Sequence, residues 1–275
     1  MSAYKVGFIG GGNMARALAG GLVSSGYLPE NLLIAEPNAE RRNVLVTDLP
    51  GVGILDDNHN VAKAIDCLIL AVKPQLMRDV CIDLAATVQS GKPLIISVAA
   101  GTHSRDIDTW LGGNLAVVRV MPNQPALLLQ GASGLFANDA TSKEQRDRAS
   151  DIMSAVGSVI HVPDEGDIDA VTAISGTGPA YFYLLIDMLI RSAEEFGIDP
   201  QAAHKIVMDT AKGSAALAAV SGESMEAMIS RVRSPGGTTA AAFDVFDAQD
   251  IRGIFATAVR AARDRAVELA ENANS

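Results

Sequence analysis

Three short stretches of the 275-residue chain hold the residue types from which a binding or reaction site could be built. The first is Gly10-Gly11-Gly12-Asn13-Met14-Ala15, a G-x-G-x-x-A spacing that follows an apolar run and opens a helix-forming segment. Gly10 permits a tight turn, Gly12 lets the backbone approach a pyrophosphate, and Ala15 lets the helix lie close on the strand. Unpaired amides at the helix start then face the phosphates, so the chemistry implied is dinucleotide binding. Glu36, 24 residues after Gly12, stands where an acid would accept from the 2′-hydroxyl of an adenosine ribose and so favour NAD. Arg41 and Arg42 follow closely and could neutralise a 2′-phosphate instead. Glu36 could equally be an acid at a helix start. Both cofactors stay open at this point.

The second stretch is Ser234-Pro235-Gly236-Gly237-Thr238-Thr239, directly before a helical pattern. Two adjacent glycines expose backbone N–H groups, three hydroxyls add donors, and the helix start adds partial positive charge. Together they make a receptor for a small carboxylate. A cap by Thr238 or Thr239 after a glycine turn needs one hydroxyl, and three are present. The third stretch, Ser175-Gly176-Thr177-Gly178-Pro179-Ala180-Tyr181, opens a helix with Pro179 in its first turn. Its small residues serve close packing more readily than a pocket.

The four histidines (His59, His103, His161, His204) lie far apart, outside any ligand spacing, so no metal site is expected. No nucleophile elbow or Walker loop is present. Lys73 follows a strand, where ligands bind in such sheets, but lacks an evident partner as a base; Lys205 and Lys212 read as solvated. Oxidising an alcohol requires a base, usually His or Lys. Reducing an already protonated imine requires none: the site must anchor the substrate, exclude water and offer the nitrogen a hydrogen bond. A cofactor cradle, an anion nest and no obvious base fit that reaction.

These residues must be positioned by regular elements. Apolar runs at 4–9, 32–36, 67–72, 93–98 and 116–121 alternate with helical spacing at 14–24, 39–49, 76–88 and 143–156. Runs apolar on both faces, separated by helices, predict a Rossmann-like α/β unit with a doubly wound parallel sheet. After Pro163 the strand signals stop, and 178–196, 200–220, 238–246 and 250–272 read as helices. The expected domains are therefore 1–163, dinucleotide-binding, and 164–275, all-α. Tyr181-Phe182-Tyr183-Leu184-Leu185-Ile186 has little polar face, and about 110 residues cannot bury that surface alone, so the helical domain is expected to be shared between subunits.

Composition sets outer bounds. With 48% hydrophobic residues the chain can fill a core, and a net charge of −10 argues against nucleic acid and anionic membrane surfaces. No uninterrupted apolar stretch reaches the roughly 18 residues of a membrane span. Two cysteines, Cys67 and Cys81, exclude a disulfide scaffold, and Cys67 reads as a small buried thiol. The N-terminal apolar run breaks at once into Gly10-Gly11-Gly12, unlike a secretory signal, so a cytoplasmic location is expected.

Phe8-Ile9-Gly10-Gly11-Gly12-Asn13-Met14-Ala15, Ala71-Val72-Lys73-Pro74, Met121-Pro122-Asn123-Gln124-Pro125 and the segments 175–181 and 234–239 occur in order. Over nearly the whole chain this resembles the pyrroline-5-carboxylate reductase family. The resemblance implies a dinucleotide-binding domain, a helical dimerisation domain and dimers assembled further, commonly into decamers. It implies reduction of 1-pyrroline-5-carboxylate to L-proline by NAD(P)H, with NADP(H) favoured and NAD(H) possible. Carried over by motif, Gly10, Gly11, Gly12, Asn13, Met14, Asn58, Ala71, Val72, Lys73, Pro74 and Ala100 would line the cofactor, with Ala100 nearest the nicotinamide and Glu36 at the ribose from its own position. Asn123, Glu165, Ser234, Gly236, Gly237, Thr238 and Thr239 would form the substrate site, and Thr239 would hydrogen-bond the ring nitrogen. The segment 223–233 lacks the His-Pro and Asp often found there, and Arg233 replaces a typical Thr.

Two other readings carry expectations. A β-hydroxyacid dehydrogenase-like enzyme would place a catalytic Lys on the helix after 176–178, where none occurs before Arg191. A non-catalytic nucleotide sensor would have no need of the three hydroxyls at 234–239.

Overall fold

The computed structural model describes residues 4–272. The chain forms β1 (Val6–Ile9), α1 (Asn13–Ser24), β2 (Leu32–Ala35), α2 (Ala39–Asp48), β3 (Gly53–Leu55), α3 (Asn58–Ala62), β4 (Cys67–Leu70), α4 (Pro74–Gly91), β5 (Leu94–Ser97), α5 (Ser104–Trp110), β6 (Val117–Met121), β7 (Gly131–Ala137), α6 (Lys143–Ser154) and β8 (Gly157–His161). These are followed by α7 (Asp167–Val171), α8 (Gly178–Glu195), α9 (Pro200–Val220), α10 (Met225–Val232), α11 (Thr238–Ala248) and α12 (Ile251–Asn272).

One eight-stranded sheet runs in the order β3-β2-β1-β4-β5-β6-β7-β8. β1 pairs in parallel with both β2 and β4, with Val6 opposite Leu32 on one side and Cys67 on the other. Alternate strand residues feed two apolar layers, as a sheet covered on both faces requires. Val6, Phe8, Cys67, Ile69, Leu94, Ile96, Val118 and Val120 pack with α1 and α6. Ile9, Leu68, Leu70, Ile95 and Val117 pack with Met77, Cys81, Leu84 and Val88 of α4.

The sheet is not wholly parallel: β7 runs antiparallel to β6, with Arg119 opposite Phe136. Only residues 122–130 join these strands, and they hold a 3-10 turn, Gln124–Leu128. A parallel return needs a crossover of a dozen residues or more, so this link can only fold back. α6 then supplies a crossover and β8 lies parallel to β7. Neither strand was expected, because Gly131, Ser133 and Gly134 dilute the apolar signal of β7. Gly134 is demanded by packing, since a Cβ there would stand 2.8 Å from both Val171 methyls.

The chain divides into two compact units, one comprising Met1–Thr177 with Ala261–Ser275 and the other Gly178–Arg260. This division lies downstream of position 163, and the final helix contributes to both units. α7 belongs with the sheet because Asp169 pairs with Arg119 of β6 at 3.2 Å, both buried. A five-residue π-turn, Thr172–Gly176, follows α7, and Gly176 packs so close that a Cβ would fall 2.5 Å from Met121 Cε.

In the second unit α8 packs on α9, and the Tyr181 and Phe255 rings meet edge-to-face at 5.3 Å. Phe182, Leu184, Leu185, Ile206, Phe246, Ile254 and Phe255 are nonetheless exposed. Among the described residues, one helical run, Asp167–Glu195, is apolar enough by length and composition to cross a membrane, with 11% of its most apolar window buried.

Candidate functional site

At the carboxyl ends of β1, β2 and β4 lies a cleft of about 520 Å³. Gly10, Gly11, Gly12, Asn13, Glu36, Ala71, Val72 and Lys73 line it, together with Arg16, Pro37, Arg41, Val44, Leu45 and Leu76. The three glycines differ in what they do. Gly10 has φ +95° and would place a Cβ 2.8 Å from the Ala71 carbonyl, so conformation and space both exclude a side chain. Gly11 donates its N–H to Glu36 Oε2 at 3.1 Å, closing the loop on β2. Around Gly12 nothing lies within 4 Å of a Cβ position: its missing side chain leaves room in the cleft.

Helix starts differ in how their first amides are satisfied. Side chains cap α2, α3, α6, α9 and α10, namely Asn38, Asp57, Ser142, Asp199 and Ser224. α1, α4 and α11 start at Gly12, Lys73 and Gly237 with no side-chain cap. α5 and α7 also lack a cap from their own N-cap residues, His103 and Gly166. The first amides of α1 and α11 are the orphan donors that an anionic ligand satisfies, whereas α4 opens on Pro74, which has no N–H.

Glu36 is 4% exposed, and its Oε1 accepts the Asn38 N–H at 2.9 Å. Arg42 is turned to the backbone, donating to the Glu36 and Pro37 carbonyls at 2.9 and 2.8 Å. Arg41 is exposed on the cleft, 3.9 Å from Glu36 Oε2. The cleft does not include four of the expected cofactor residues. Met14 packs toward the core, Asn58 starts α3 after β3, Pro74 opens α4, and Ala100 lies in the turn after β5.

A second polar cluster joins the start of α5, Arg119 of β6 and Glu165, which precedes α7. Glu165 accepts from Ser104 N–H at 2.6 Å and Ser104 Oγ at 2.8 Å, with Arg119 Nη1 at 3.5 Å and His103 Nδ1 at 3.6 Å. Burial alone would raise the Glu165 pKa, but these donors from His103, Ser104 and Arg119 outweigh it and hold the carboxyl at about 2. Arg119 escaped the sequence reading, although a lone charge inside Val117-Val118-Arg119-Val120-Met121 marks a buried ion pair. Asn123 is half-buried and its Oδ1 accepts the Ala132 N–H at 2.9 Å.

In the helical unit, Ser234-Pro235-Gly236-Gly237 is a turn closed by Gly237 N–H to the Ser234 carbonyl at 3.0 Å. Pro235 second and Gly236 third, the latter at φ +72°, meet the demands of a type II turn. The Gly237 amide is thereby engaged within the turn and does not point outward as the sequence reading had it. The N-cap of α11 is Gly237, so neither Thr238 nor Thr239 caps the helix. Their hydroxyls stand beside an uncapped helix start, with Thr238 exposed and Thr239 half-buried.

Comparisons with known proteins give matches along the chain. A family model described as pyrroline-5-carboxylate reductase dimerisation matches residues 165–269, and one described as NADP oxidoreductase coenzyme F420-dependent matches residues 5–101. The chain is 40% identical to a pyrroline-5-carboxylate reductase of Pseudomonas aeruginosa over 98% of each chain. The structure of a pyrroline-5-carboxylate reductase from Coxiella burnetii matches with a TM-score of 0.91 at 37% identity, covering 98% of this chain and 99% of that one. A Plasmodium falciparum pyrroline carboxylate reductase solved with NADP bound matches with a TM-score of 0.87 at 28% identity, covering 97% of this chain and 98% of that one.

Proposed function

The chain belongs to the pyrroline-5-carboxylate reductase family, and from that membership we propose how its own residues serve the NAD(P)H-dependent reduction of 1-pyrroline-5-carboxylate to L-proline. A nicotinamide cofactor, when bound, supplies the hydride for the imine carbon. The first unit is suited to hold it: Gly12 leaves open space where a side chain would stand, and the α1 amides lack a cap. Gly10, Gly11, Asn13, Ala71, Val72 and Lys73 complete the wall, Met14, Asn58 and Pro74 support it from behind, and Ala100 borders the nicotinamide end.

NADP(H) is the favoured cofactor in this proposal, with NAD(H) also accepted. Glu36 is tied to the Gly11 and Asn38 amides, and Arg41 stands exposed on the cleft for a 2′-phosphate.

The substrate is a small ring bearing a carboxylate and a protonated imine nitrogen. The turn 234–237 and the start of α11 take the carboxylate, through the amides of Gly236, Thr238 and Thr239 and the hydroxyls of Ser234 and Thr238. Thr239 Oγ hydrogen-bonds the ring nitrogen and orients the imine carbon. In the first unit, Asn123, anchored through Ala132, and Glu165, fixed by Ser104, are the candidates for the substrate. No residue need remove a proton, because the iminium is already electrophilic. The observation that carries the substrate assignment is a helix start bearing two threonines neither of which caps it.

The family's dimerisation region spans 165–269, and the chain self-associates through it. We further propose dimers assembled into decamers, located in the cytoplasm and independent of nucleic acid or membrane, in keeping with a net charge of −10.

Initial rates with 1-pyrroline-5-carboxylate and each cofactor test the reading. Reduction with both and a higher kcat/KM for NADPH are expected. Thr239→Ala is expected to lower kcat by about 10- to 100-fold with the NADPH KM nearly unchanged, as for loss of a hydrogen bond that orients the reacting group. Turnover of a hydroxyacid with oxidised cofactor, and none of the imine, would give the reaction to the β-hydroxyacid class.

A further inference from the structure

We propose that Arg233 is a positioning residue for the substrate carboxylate: it clamps the turn 234–237 to the flank of α11 and so fixes where the amides of that turn point. The inference rests on the reading of 234–239 as the carboxylate site. Arg233 ends α10, its N–H reaching the Ile229 and Ser230 carbonyls at 3.1 and 3.2 Å. Its side chain then crosses to α11. Nη2 donates to Asp244 Oδ1 at 2.9 Å, Nη1 donates to Asp247 Oδ2 at 3.1 Å, and the guanidinium lies 5.3 Å from the centre of the Phe243 ring.

The placement explains why a clamp is needed. The turn is exposed at Ser234, Pro235 and Gly236, and nothing lies within 4 Å of a Cβ position at Gly236. One hydrogen bond, Gly237 N–H to the Ser234 carbonyl, closes it internally. Its aim therefore depends on the angle between the helices it joins, and Arg233 spans those two helices. Asp244 and Asp247 are three residues apart, one helical turn, and so present two carboxylates to one guanidinium. Arginine satisfies both prongs at once; lysine, a point charge, would hold one. Each bond is partly solvated and modest alone, but two ion pairs and an aromatic face act on one side chain.

Removing Arg233 also leaves two carboxylates without their cation, and that alone would repel an anionic substrate. The two explanations differ in sign for one variant. Under the clamp, Asp244→Asn/Asp247→Asn frees the arm and raises the KM for 1-pyrroline-5-carboxylate. Under simple electrostatics the same variant leaves an unpaired cation near the site and lowers it.

The test is steady-state kinetics of the full-length enzyme with 1-pyrroline-5-carboxylate and NADPH. Arg233→Ala and the double asparagine variant should each raise the substrate KM roughly 5- to 10-fold, the equivalent of two half-exposed ion pairs and a cation–π contact. The NADPH KM should not move, and kcat should fall less than KM rises. Combining all three substitutions should cost no more than Arg233→Ala alone, because one clamp is broken once. Arg233→Lys should recover part of the loss. An unchanged or lowered KM in the double asparagine variant overturns the clamp, and so does an equal rise in both KM values. Gly236→Val separates this failure from that of the underlying site. If it leaves the substrate KM unchanged, the carboxylate binds elsewhere and the whole reading falls. If it raises KM while Arg233→Ala does not, only the clamp is lost.

Discussion

Glu165 is a carboxylate whose surroundings reverse the usual effect of burial. The Ser104 amide and hydroxyl, His103 and Arg119 surround it and hold its pKa at about 2. An unfolded glutamate titrates near 4.5, so this depressed value contributes stability that is fully present above about pH 4.5 and lost as pH falls toward 2. The difference amounts to something on the order of 3 kcal/mol at neutral pH. Glu165→Gln should therefore lower the urea midpoint strongly at pH 7, while near pH 2 variant and wild type should converge. An equal gap at both pH values would show that the glutamine disturbs packing rather than removing a charge. The two thiols lie at the opposite extreme. Burial pushes Cys67 to about 11 and Cys81 to about 12, so both should resist thiol reagents in the native protein.

At the scale of elements, the turn from β1 to α1 separates two meanings of glycine. Gly10→Ala must adopt φ +95° and meets the Ala71 carbonyl, so it should cost roughly 2–3 kcal/mol of stability. Gly12→Ala has ordinary backbone angles and open space around its Cβ, so the melting temperature should hold. The NADPH KM should nevertheless rise on the order of tenfold, since the methyl occupies the cleft and keeps one amide from its phosphate. Thermal melts and cofactor titrations on the pair decide this; a destabilised Gly12→Ala that binds normally would remove Gly12 from the site. This turn was legible in the sequence because strand, glycine spacing and helix are contiguous there. So were β1, β2, β4, β5 and β6, whose long apolar runs face both layers. What escaped depends on distant partners: in β7, Gly134 is required by Val171 of α7, and Arg119 owes its place to Asp169, 50 residues away. The cleft walls at Val44, Leu45 and Leu76 likewise come from helix faces that only packing selects.

The whole molecule poses a question of solvent. α8 displays Phe182, Leu184, Leu185, Met188 and Leu189, all exposed in the single chain, and Phe182 keeps 67% of its surface. A patch of this kind does not stay wetted in a monomer, and the family's dimerisation region covers all of it. Association through α8 would also reconcile the membrane-like composition of Asp167–Glu195 with a chain of net charge −10, since a second copy would supply the apolar environment. Phe182→Glu/Leu185→Glu places two charges in that interface and should reduce the mass measured by light scattering at micromolar protein. Leu128→Glu is the control, since Leu128 is 76% exposed but lies outside 165–269, and its mass should match wild type. A double glutamate variant that keeps the wild-type mass would place the interface on another face of the helical unit. If instead the wild type pelleted with lipid vesicles and the variant did not, the apolar face of α8 would be reading a membrane rather than a second copy of itself.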